Sequence, residues 1–589
     1  MPHFHERIKA FFKNRWLVFV CAMWIQSCSG VGYLFGSFSP VIKSVMGYNQ
    51  RQLAILGVFK NFGNCVGFVA GSLSQFLPTW GLLLIGAVHN LIGYGSLWLI
   101  VTQRLHSMPL WVLCICIYVG ANAETYLSTA TLVSCIQNFP MNRGPIVGIL
   151  KGFSGLSGAI VTQVYAIINA PNQASLIFTI AVGPAMVVIA LMFIVRPVEG
   201  PKQVRASDGS GFLFTYTICL VLAAYLLGVL ILEDFLNLNK TLVIFLAIGL
   251  IIFILLPIIV PVILVSLSKP KPPAEESLLA EPQKQEVDAS EQETSEVILN
   301  EVEDENPPKA DTLLASERHK RTAHLKATNV FQESVDRVMR LKSRKGPRIG
   351  ENFTLTQALI KAEFWLIFTS LVLAAGSGVT IFDNLGQITQ SLGYTDTRVF
   401  VAMICIWNFL GRVGGGYFSE IVTRDFAYPR PVSMAIFQLI MTFGFIYYAM
   451  GWPGQIYVVT VLIGISYGAL WAIAITSVSE LFGLKSFGSL YNFLTLANPA
   501  GSLIFSELLA SGIYDYYAEK QAAHQLQYPV SALTKPIRND KSLICEGTIC
   551  YSLTCGILSG VCIVATMLTL IVVYRTRRVY AQLYGNHIS

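Results

Sequence analysis

The sequence predicts an all-α polytopic membrane protein: two six-helix bundles with an inserted helix pair, about fourteen transmembrane helices in all. Composition, the length of the apolar runs and an internal duplication lead to this fold class. Hydrophobic residues make up 54% of the chain, charged residues only 13%, and the mean hydropathy is +0.58. Soluble domains do not reach these values. We therefore expect an integral, multi-pass membrane protein.

Apolar runs of about 20 residues, the length needed to cross a bilayer, recur along the chain. We place fourteen spans near residues 16–38, 53–76, 80–101, 109–134, 146–168, 174–196, 212–232, 241–267, 363–387, 397–419, 432–450, 455–481, 487–511 and 553–574. The first run is too long for a signal peptide and lacks a cleavage site, so we expect it to stay in the protein.

An internal duplication organises these spans. Residues 30–48 and 376–394 align without gaps, with the identical pairs Gly30/Gly376, Gly32/Gly378, Ile42/Ile388, Gly47/Gly393 and Tyr48/Tyr394. Spans one to six then form the first half and spans nine to fourteen the second. We divide the chain into an N-terminal six-helix bundle, an inserted helix pair, a disordered cytosolic loop too polar to form a core, and a C-terminal six-helix bundle, at residues 1–200, 201–267, 268–352 and 353–589.

The distribution of Lys and Arg predicts the orientation, because short basic loops stay in the cytosol. Basic residues occur at the N-terminus, in three connections and in the tail, at Arg7, Lys9, Lys13, Arg15, Arg143, Arg196, Lys202, Arg205, Arg424, Arg430, Arg575, Arg577 and Arg578. With an even number of spans, both termini are cytosolic. The loop with Cys545 and Cys550 then lies on the opposite side of the membrane. There the two cysteines either form a disulfide or stay free thiols, and the sequence leaves both alternatives open. Plasma membrane and vacuolar membrane are equally compatible with the sequence.

Polar side chains inside the spans mark the candidate pathway, since an ionisable group in hydrocarbon is costly and usually faces a partner or a water-filled cavity. One helical face of span one carries Gln26 and Tyr33, and span nine carries Asp383 and Gln387 on one face. Three further ionisable residues lie inside the first half, namely Lys60, Glu124 and Lys151. Hydrogen bonding between helices, without any ligand, is the alternative explanation of these stripes.

The charged residues of the first half allow two interpretations. Lys60 and Lys151 either neutralise Glu124 or meet a charged substrate, which would then be an organic anion or zwitterion. A carboxylate such as Glu124 or Asp383 can take up and release a proton as a site opens and closes, so proton coupling is open.

The chain carries no P-loop, HExxH, CxxC or GxSxG motif, so the machinery of ATP-driven pumping and of hydrolysis is missing. The spans also contain no His/Cys/Asp cluster with metal-ligand spacing. We expect no enzyme activity, no cofactor, no metal site and no nucleic-acid partner.

Several motifs together resemble one family. GRVGGGYFSEIVTR (Gly411–Arg424) resembles the glycine-arginine-acid signature of a major facilitator superfamily half. Five further runs, GYNQRQLAILGVFKNFG, NFPMNRGPIVGILKGFSGLSGAIVTQ, FDNLGQITQSLGY, SELFGLKSFGSLYNF and CEGTICY, resemble its plant nodulin-like branch, which includes the nuclear-fusion-defective-type proteins. The resemblance covers nearly the whole chain.

This resemblance implies that spans one, four, nine and twelve line a central cavity, which adds Tyr467 and Trp471 to the candidate pathway. It also implies a cytosolic gate at the end of span ten, formed by Arg412, Glu420 and Arg424, with Arg143 as the matching contact of the first half.

The sequence therefore predicts a secondary active transporter of a small organic solute, anionic or zwitterionic, that works by alternating access, with proton coupling left open. A non-transporting receptor or scaffold that acts through its cytosolic loop is the alternative. The bilayer is the one partner that composition requires, and any cytosolic partner of the loop at 268–352 is unidentified.

Overall fold

The computed structural model describes residues 11–48, 50–105, 108–169, 173–198, 206–235, 240–267, 347–394, 398–527 and 545–584. The polar loop predicted at 268–352 lies, up to residue 346, outside this described part. Residues 1–265 and 348–589 form one compact unit. Every helix named below belongs to that unit, apart from the last residues of α8.

The first half contains six helical spans, and two of them are interrupted. They are α1 (Arg15–Ser29, a 3-10 turn Val31–Leu34, then Phe35–Met46), α2 (Gln50–Cys65 and Phe68–Leu73), α3 (Thr79–Val101), α4 (Leu110–Asn138), α5 (Arg143–Asn169) and α6 (Gln173–Leu191). The inserted pair is α7 (Ala206–Phe235) and α8 (Lys240–Leu255, a 3-10 turn Leu256–Ile258, then Ile259–Leu267).

The second half contains five uninterrupted spans and one broken span. They are α9 (Ala362–Ser391), α10 (Arg398–Arg424), α11 (Pro431–Ala449), α12 (Gln455–Leu481), α13 (Phe487–Thr495, Ala497–Ser502, a π-helical segment Leu503–Ala510, then Ser511–Gln527) and α14 (Ile549–Tyr584). A short helix, Leu355–Leu359, precedes α9 and begins with a capping box at Thr354.

The all-α membrane fold is confirmed. Eleven helices of the described residues are long and apolar enough to cross a bilayer, and they coincide with predicted spans three to five and seven to fourteen. The remaining three predicted spans fall on the interrupted helices α1 and α2 and on α6, whose apolar stretch Ser175–Leu191 is shorter. The count of fourteen spans therefore stays a prediction.

The duplication is visible in how the helices pack. A Cβ atom at Gly30 of α1 would lie 2.2 Å from the main-chain oxygen of Ser154 on α5. A Cβ atom at the repeat-related Gly376 of α9 would lie 2.6 Å from Cα of Gly501 on α13. Both glycines therefore let the first helix of a half contact the backbone of the fifth, the close approach that small residues permit between membrane helices.

The inserted pair packs on the outside of both halves. Arg15 at the start of α1 donates to Asp208 at the start of α7, at 2.7 Å. The rings of Tyr216 on α7 and Tyr417 on α10 lie 4.8 Å apart. The helix α8 packs against α5, and its 3-10 turn packs against α1. The pair therefore contacts the N-terminal half through α1 and α5 and the C-terminal half through α10.

One end of the bundle carries the basic residues that begin α1 and α5 and end α10 and α14. We call it the basic end. The two halves approach closely toward this end. A Cβ atom at Gly144 of α5 would lie 2.7 Å from the main-chain oxygen of Gly416 on α10, and a Cβ atom at Gly71 of α2 would lie 2.6 Å from that of Gly488 on α13. At these positions the backbones of the two halves touch.

Candidate functional site

A cavity of about 510 Å³ lies between the two halves. It is lined by Gly32, Phe35, Gly57, Val58, Lys60, Asn61, Asn64, Glu124, Thr125, Ser128, Lys151, Val379, Phe382, Asp383, Val401, Cys405, Arg412, Tyr467, Trp471, Ile475, Tyr491, Asn492, Thr495, Asn498 and Glu507. These residues belong to α1, α2, α4 and α5 of the first half and α9, α10, α12 and α13 of the second. The four spans implied by the family resemblance thus line the cavity together with four others.

Backbone contacts between the halves lie on the basic-end side of the cavity. On α5 the contact residue Gly144 precedes the lining residue Lys151, and on α13 Gly488 precedes Tyr491. The glycine contacts therefore close the cavity toward the basic end.

The floor of the cavity combines charged and hydroxyl groups of α4 and α5. Lys151 donates from Nζ to Oγ of Ser128 at 3.1 Å, and Ser154 donates to Oε1 of Glu124 at 3.3 Å. The Lys151 ammonium also lies over the ring of Tyr491 on α13, 5.1 Å from its centroid. This cation–π contact joins the two halves at the floor.

Gln26 packs against the floor residues of α4 on the side away from the cavity. Its side chain is fully buried, and its amide donates to Oγ1 of Thr131 at 2.6 Å and to Oγ of Ser128 at 3.4 Å. Gln26 is not among the lining residues of the described part. It therefore orients Ser128, the acceptor of the Lys151 ammonium, and does not face the cavity.

Arg412 lies deeper in the bundle than the sequence predicted. It lies in the middle of α10, not at the end of this helix, and its guanidinium lines the cavity. It donates to the main-chain oxygen of Lys151 at 2.7 Å and to Oδ1 of Asn408 at 3.1 Å. Because Lys151 belongs to the other half, Arg412 joins the halves at the floor of the cavity.

The charges around Glu124 are mostly positive. Lys151, Arg412 and Lys60 all lie within electrostatic range of this carboxylate. Three cations therefore surround one carboxylate, and the floor carries a net positive charge when all four groups are ionised.

Asp383 lies on the opposite wall, on α9. Its side chain is exposed within the bundle, and Oδ2 accepts a hydrogen bond from Ser502 of α13 at 2.8 Å. A second carboxylate, Glu507 of α13, is also exposed and lies within electrostatic range of Asp383, as does Lys60 from the other half.

Aromatic rings complete this wall. The rings of Phe382 and Tyr467 lie 4.9 Å apart, and those of Tyr467 and Trp471 lie 6.4 Å apart. Tyr467 donates its hydroxyl hydrogen to Oδ1 of Asn498 at 2.9 Å. Both predicted aromatic residues, Tyr467 and Trp471, therefore face the cavity from α12.

Gln387, another predicted pathway residue, is not among the lining residues of the described part. Gln387 accepts a hydrogen bond from the hydroxyl of Tyr551 on α14 at 2.7 Å, near the end of α9 that is opposite to the basic end. Tyr33 lies in the 3-10 turn of α1, and its side chain is outside the described part.

A buried ion cluster lies at the basic end of the second half. Arg430 is fully buried and donates to both carboxylate oxygens of Glu480, at 2.9 and 2.6 Å, and to Glu420 at 3.0 Å. The hydroxyls of Tyr580 and Tyr584 at the end of α14 donate to Glu480 at 2.9 and 3.0 Å. This network ties α10, α12 and α14 together.

Two other predicted gate residues, Arg143 and Arg424, bridge the halves by donating to main-chain oxygens. Arg143 of α5 donates to the oxygen of Ser479 on α12 at 2.6 Å. Arg424 of α10 donates to the oxygen of Met141 at 3.1 Å and lies 3.5 Å from the carboxylate of Glu420. Arg143, Glu420 and Arg424 thus lie at the basic end, whereas Arg412 lies further inside the bundle, at the floor of the cavity.

Cys545 and Cys550 are joined by a disulfide at the opposite end. The amide of Cys545 donates to the hydroxyl of Tyr514 on α13 at 3.1 Å, and the amide of Gly547 donates to the oxygen of Ser391 on α9 at 2.8 Å. The loop therefore fastens α14 to α9 and α13. Within the described residues, no group of three or more His, Cys, Asp or Glu could hold a metal ion.

Two family models match almost consecutive parts of the chain. The model described as Nodulin-like matches residues 15–262, and the model described as NFD4, C-terminal domain, matches residues 348–582. The chain belongs to the nodulin-like family. Both family regions coincide with the duplicated halves, and the first also includes the inserted pair.

Relatives of this nodulin-like protein include Protein NUCLEAR FUSION DEFECTIVE 4 of Arabidopsis thaliana, 25% identical over 98% of this chain and 91% of the relative. "Probable transporter MCH1" of Yarrowia lipolytica is 24% identical over 35% of this chain and 40% of the relative. A solved structure of a double-tryptophan mutant of XylE has a TM-score of 0.52 at 12% identity and covers 98% of this chain and 99% of its own. XylE is described as a major facilitator superfamily proton:xylose symporter. The nodulin-like protein therefore has the major facilitator fold.

Several residues that the structure places at these sites are not among those predicted from the sequence. Glu507 is a carboxylate inside span thirteen, so the criterion that selected Asp383 would have found it. Arg430 and Glu480 lie near the ends of α11 and α12, where charge is common, and their pairing has no local signal.

Proposed function

We propose that this protein is a secondary active transporter that moves a small organic anion or zwitterion by alternating access. The observation that carries this proposal is the charged cavity between two duplicated halves, closed toward the basic end by backbone contacts. A scaffold has no need to hold Glu124, Lys151, Arg412 and Asp383 against a cavity within the bundle.

The charge at the floor favours a solute with a carboxylate. Arg412 donates a hydrogen bond to the main-chain oxygen of Lys151 there. Both cationic side chains lie near Glu124. Ammonium and guanidinium groups bind carboxylates by charge-assisted hydrogen bonds. Glu124 and Asp383 also supply carboxylates that can bind a proton as the cavity changes its access, which supports proton coupling.

We infer that the basic end is cytosolic, following the charge rule for membrane proteins. The structure then corresponds to the outward-facing state, in a plasma or vacuolar membrane. We propose that Arg143, Glu420 and Arg424 hold the cytosolic gate closed, and that Arg412 couples the floor of the cavity to the same closure through Lys151.

An uptake screen tests the transport proposal. Purified protein in proteoliposomes, with a pH gradient of either sign, is incubated with a cell metabolite extract, and the lumen is analysed by mass spectrometry. We expect at least one carboxylate-bearing solute to accumulate above empty liposomes. Accumulation should fall by about tenfold or more in Glu124→Gln and Asp383→Asn, while Glu519→Gln on the exposed end of α13 leaves it unchanged.

Two results would contradict the proposal. Absence of accumulation in wild-type proteoliposomes under both gradients would favour the receptor or scaffold alternative. Equal uptake by wild type and both cavity variants would remove Glu124 and Asp383 from the transport mechanism.

A further inference from the structure

The two walls of the cavity differ in their chemistry. The wall of the second half presents two carboxylates, Asp383 and Glu507, both exposed, beside the rings of Phe382, Tyr467 and Trp471. Carboxylates and the faces of aromatic rings are the groups that bind an ammonium ion. This wall therefore suits the positive end of a ligand.

The floor presents the opposite chemistry. Lys151 and Arg412 flank Glu124, and the hydroxyl of Ser128 already accepts a hydrogen bond from the Lys151 ammonium. The main-chain bond from Arg412 to Lys151 fixes the spacing of the two cationic groups. This region suits the carboxylate end of a ligand.

Lys60 lies between the two regions. It is within electrostatic range of Glu124 at the floor and of Asp383 on the opposite wall, and its ammonium lies 5.6 Å from the ring centroid of Phe35. Lys60 supplies positive charge to Asp383. A bound ammonium group would take over this role.

We propose that the transported solute is a zwitterion of the amino-acid type, bound with its carboxylate at Lys151 and Arg412 and its ammonium at Asp383, Glu507 and the aromatic rings. The proposal rests on the transport function proposed above and narrows its substrate class. The volume of about 510 Å³ lies within the range of small-molecule sites and leaves room for a side chain.

Matched compounds test the charge requirement. Wild-type proteoliposomes are given an equimolar mixture of L-leucine, 4-methylpentanoate, 3-methylbutylamine, L-phenylalanine, 3-phenylpropanoate and 2-phenylethylamine, and then the same cell extract as above. We expect an amino acid to accumulate about tenfold more than the acid or amine of the same skeleton. If neither amino acid enters, a solute from the extract that carries both an amine and a carboxylate supports the proposal equally.

Variants test the orientation. The melting temperature of the purified full-length protein is measured with the accumulated zwitterion and with its two singly charged analogues. In Asp383→Asn, the zwitterion should no longer raise the melting temperature more than the acid does, but it should still raise it more than the amine does. Lys151→Met should show the reverse pattern. Asp515→Asn and Lys520→Met, both on the exposed end of α13, should keep both preferences.

The outcomes separate this inference from the proposed function. Accumulation of acids without an amine, or of amines without a carboxylate, at a level equal to the amino acid would overturn the zwitterion proposal and leave transport intact. Loss of both preferences in each variant would overturn the orientation. No accumulation of any solute from the mixture or the extract would overturn transport itself.

Discussion

The two halves share their packing and differ in their cavity chemistry. Gly30 and Gly376 occupy the same repeat position and make the same close approach between the first and fifth helices. Seven residues further along, Ser37 of the first half corresponds to Asp383 of the second, which lines the cavity. Positions where backbones touch tolerate only glycine, whereas a cavity-facing position accepts any side chain that fits. The duplicated scaffold was therefore kept while its binding surface diverged.

The halves also differ in where their helices are broken. The first half interrupts α1 and α2 and has a continuous α5, whereas the second half has continuous α9 and α10 and interrupts α13. The π-helical segment of α13 includes Glu507, and segments of this type often occur at functional sites. The second half also carries the buried cluster of Arg430, Glu480 and Glu420.

The largest expected effect concerns this buried cluster. Arg430→Met leaves Glu480 buried without its hydrogen-bonded cation and leaves Glu420 with only the exposed Arg424, which should reduce the free energy of unfolding by about 3 to 5 kcal/mol. Arg143→Met, at the same end of the first half, loses two hydrogen bonds to main-chain oxygens and a positive charge within electrostatic range of Glu480, and should cost roughly 1 to 2 kcal/mol. Thermal and chemical denaturation in detergent micelles measures both. Equal losses would mean that the basic ends of the two halves are equivalent.

The shared glycines should give an intermediate effect. Gly30→Ala and Gly376→Ala each force a methyl group against the backbone of another helix and should cost about 1 to 3 kcal/mol. Gly183→Ala in α6 and Gly556→Ala in α14 are matched controls, because no atom lies within 4 Å of the added carbon. These controls should be neutral or stabilising by up to about 1 kcal/mol. Melting temperatures show whether each variant is less or more stable than the wild type. A Gly376→Ala variant as stable as the wild type would contradict the equivalent packing of the two halves.

The smallest expected effect concerns the end opposite to the basic end. Tyr551→Phe removes the hydrogen bond to Gln387, which fastens α14 to α9, and should cost about 0.5 to 1.5 kcal/mol. Tyr574→Phe is the control, since this tyrosine is 84% exposed. Differential scanning fluorimetry measures the change in melting temperature of the two variants. A loss that is no greater for Tyr551→Phe than for Tyr574→Phe would show that this bond does not stabilise the second half.

Much of the fold was predictable because its signals are local. Hydropathy marks the eleven helices of the described residues that are long and apolar enough to cross a bilayer, and the in-register glycines mark the duplication. The depth of ionisable residues within their spans pointed to Lys60, Glu124, Lys151 and Asp383, all of which line the cavity. These signals can be read from each segment alone, since an apolar run of spanning length and an ionisable residue within it are visible before any neighbouring helix is known.

Only the tertiary structure decided which polar residue faces the cavity and which faces another helix. Gln26 and Asp383 look alike in sequence, yet α4 covers the first, and the second is exposed. The pairing of Arg430 with Glu480, 50 residues apart, and the depth of Arg412 beside Lys151 likewise arise from the rotation and offset of packed helices. Hydropathy carries no information on rotation or offset, because both are set by close packing between side chains that are distant in the chain.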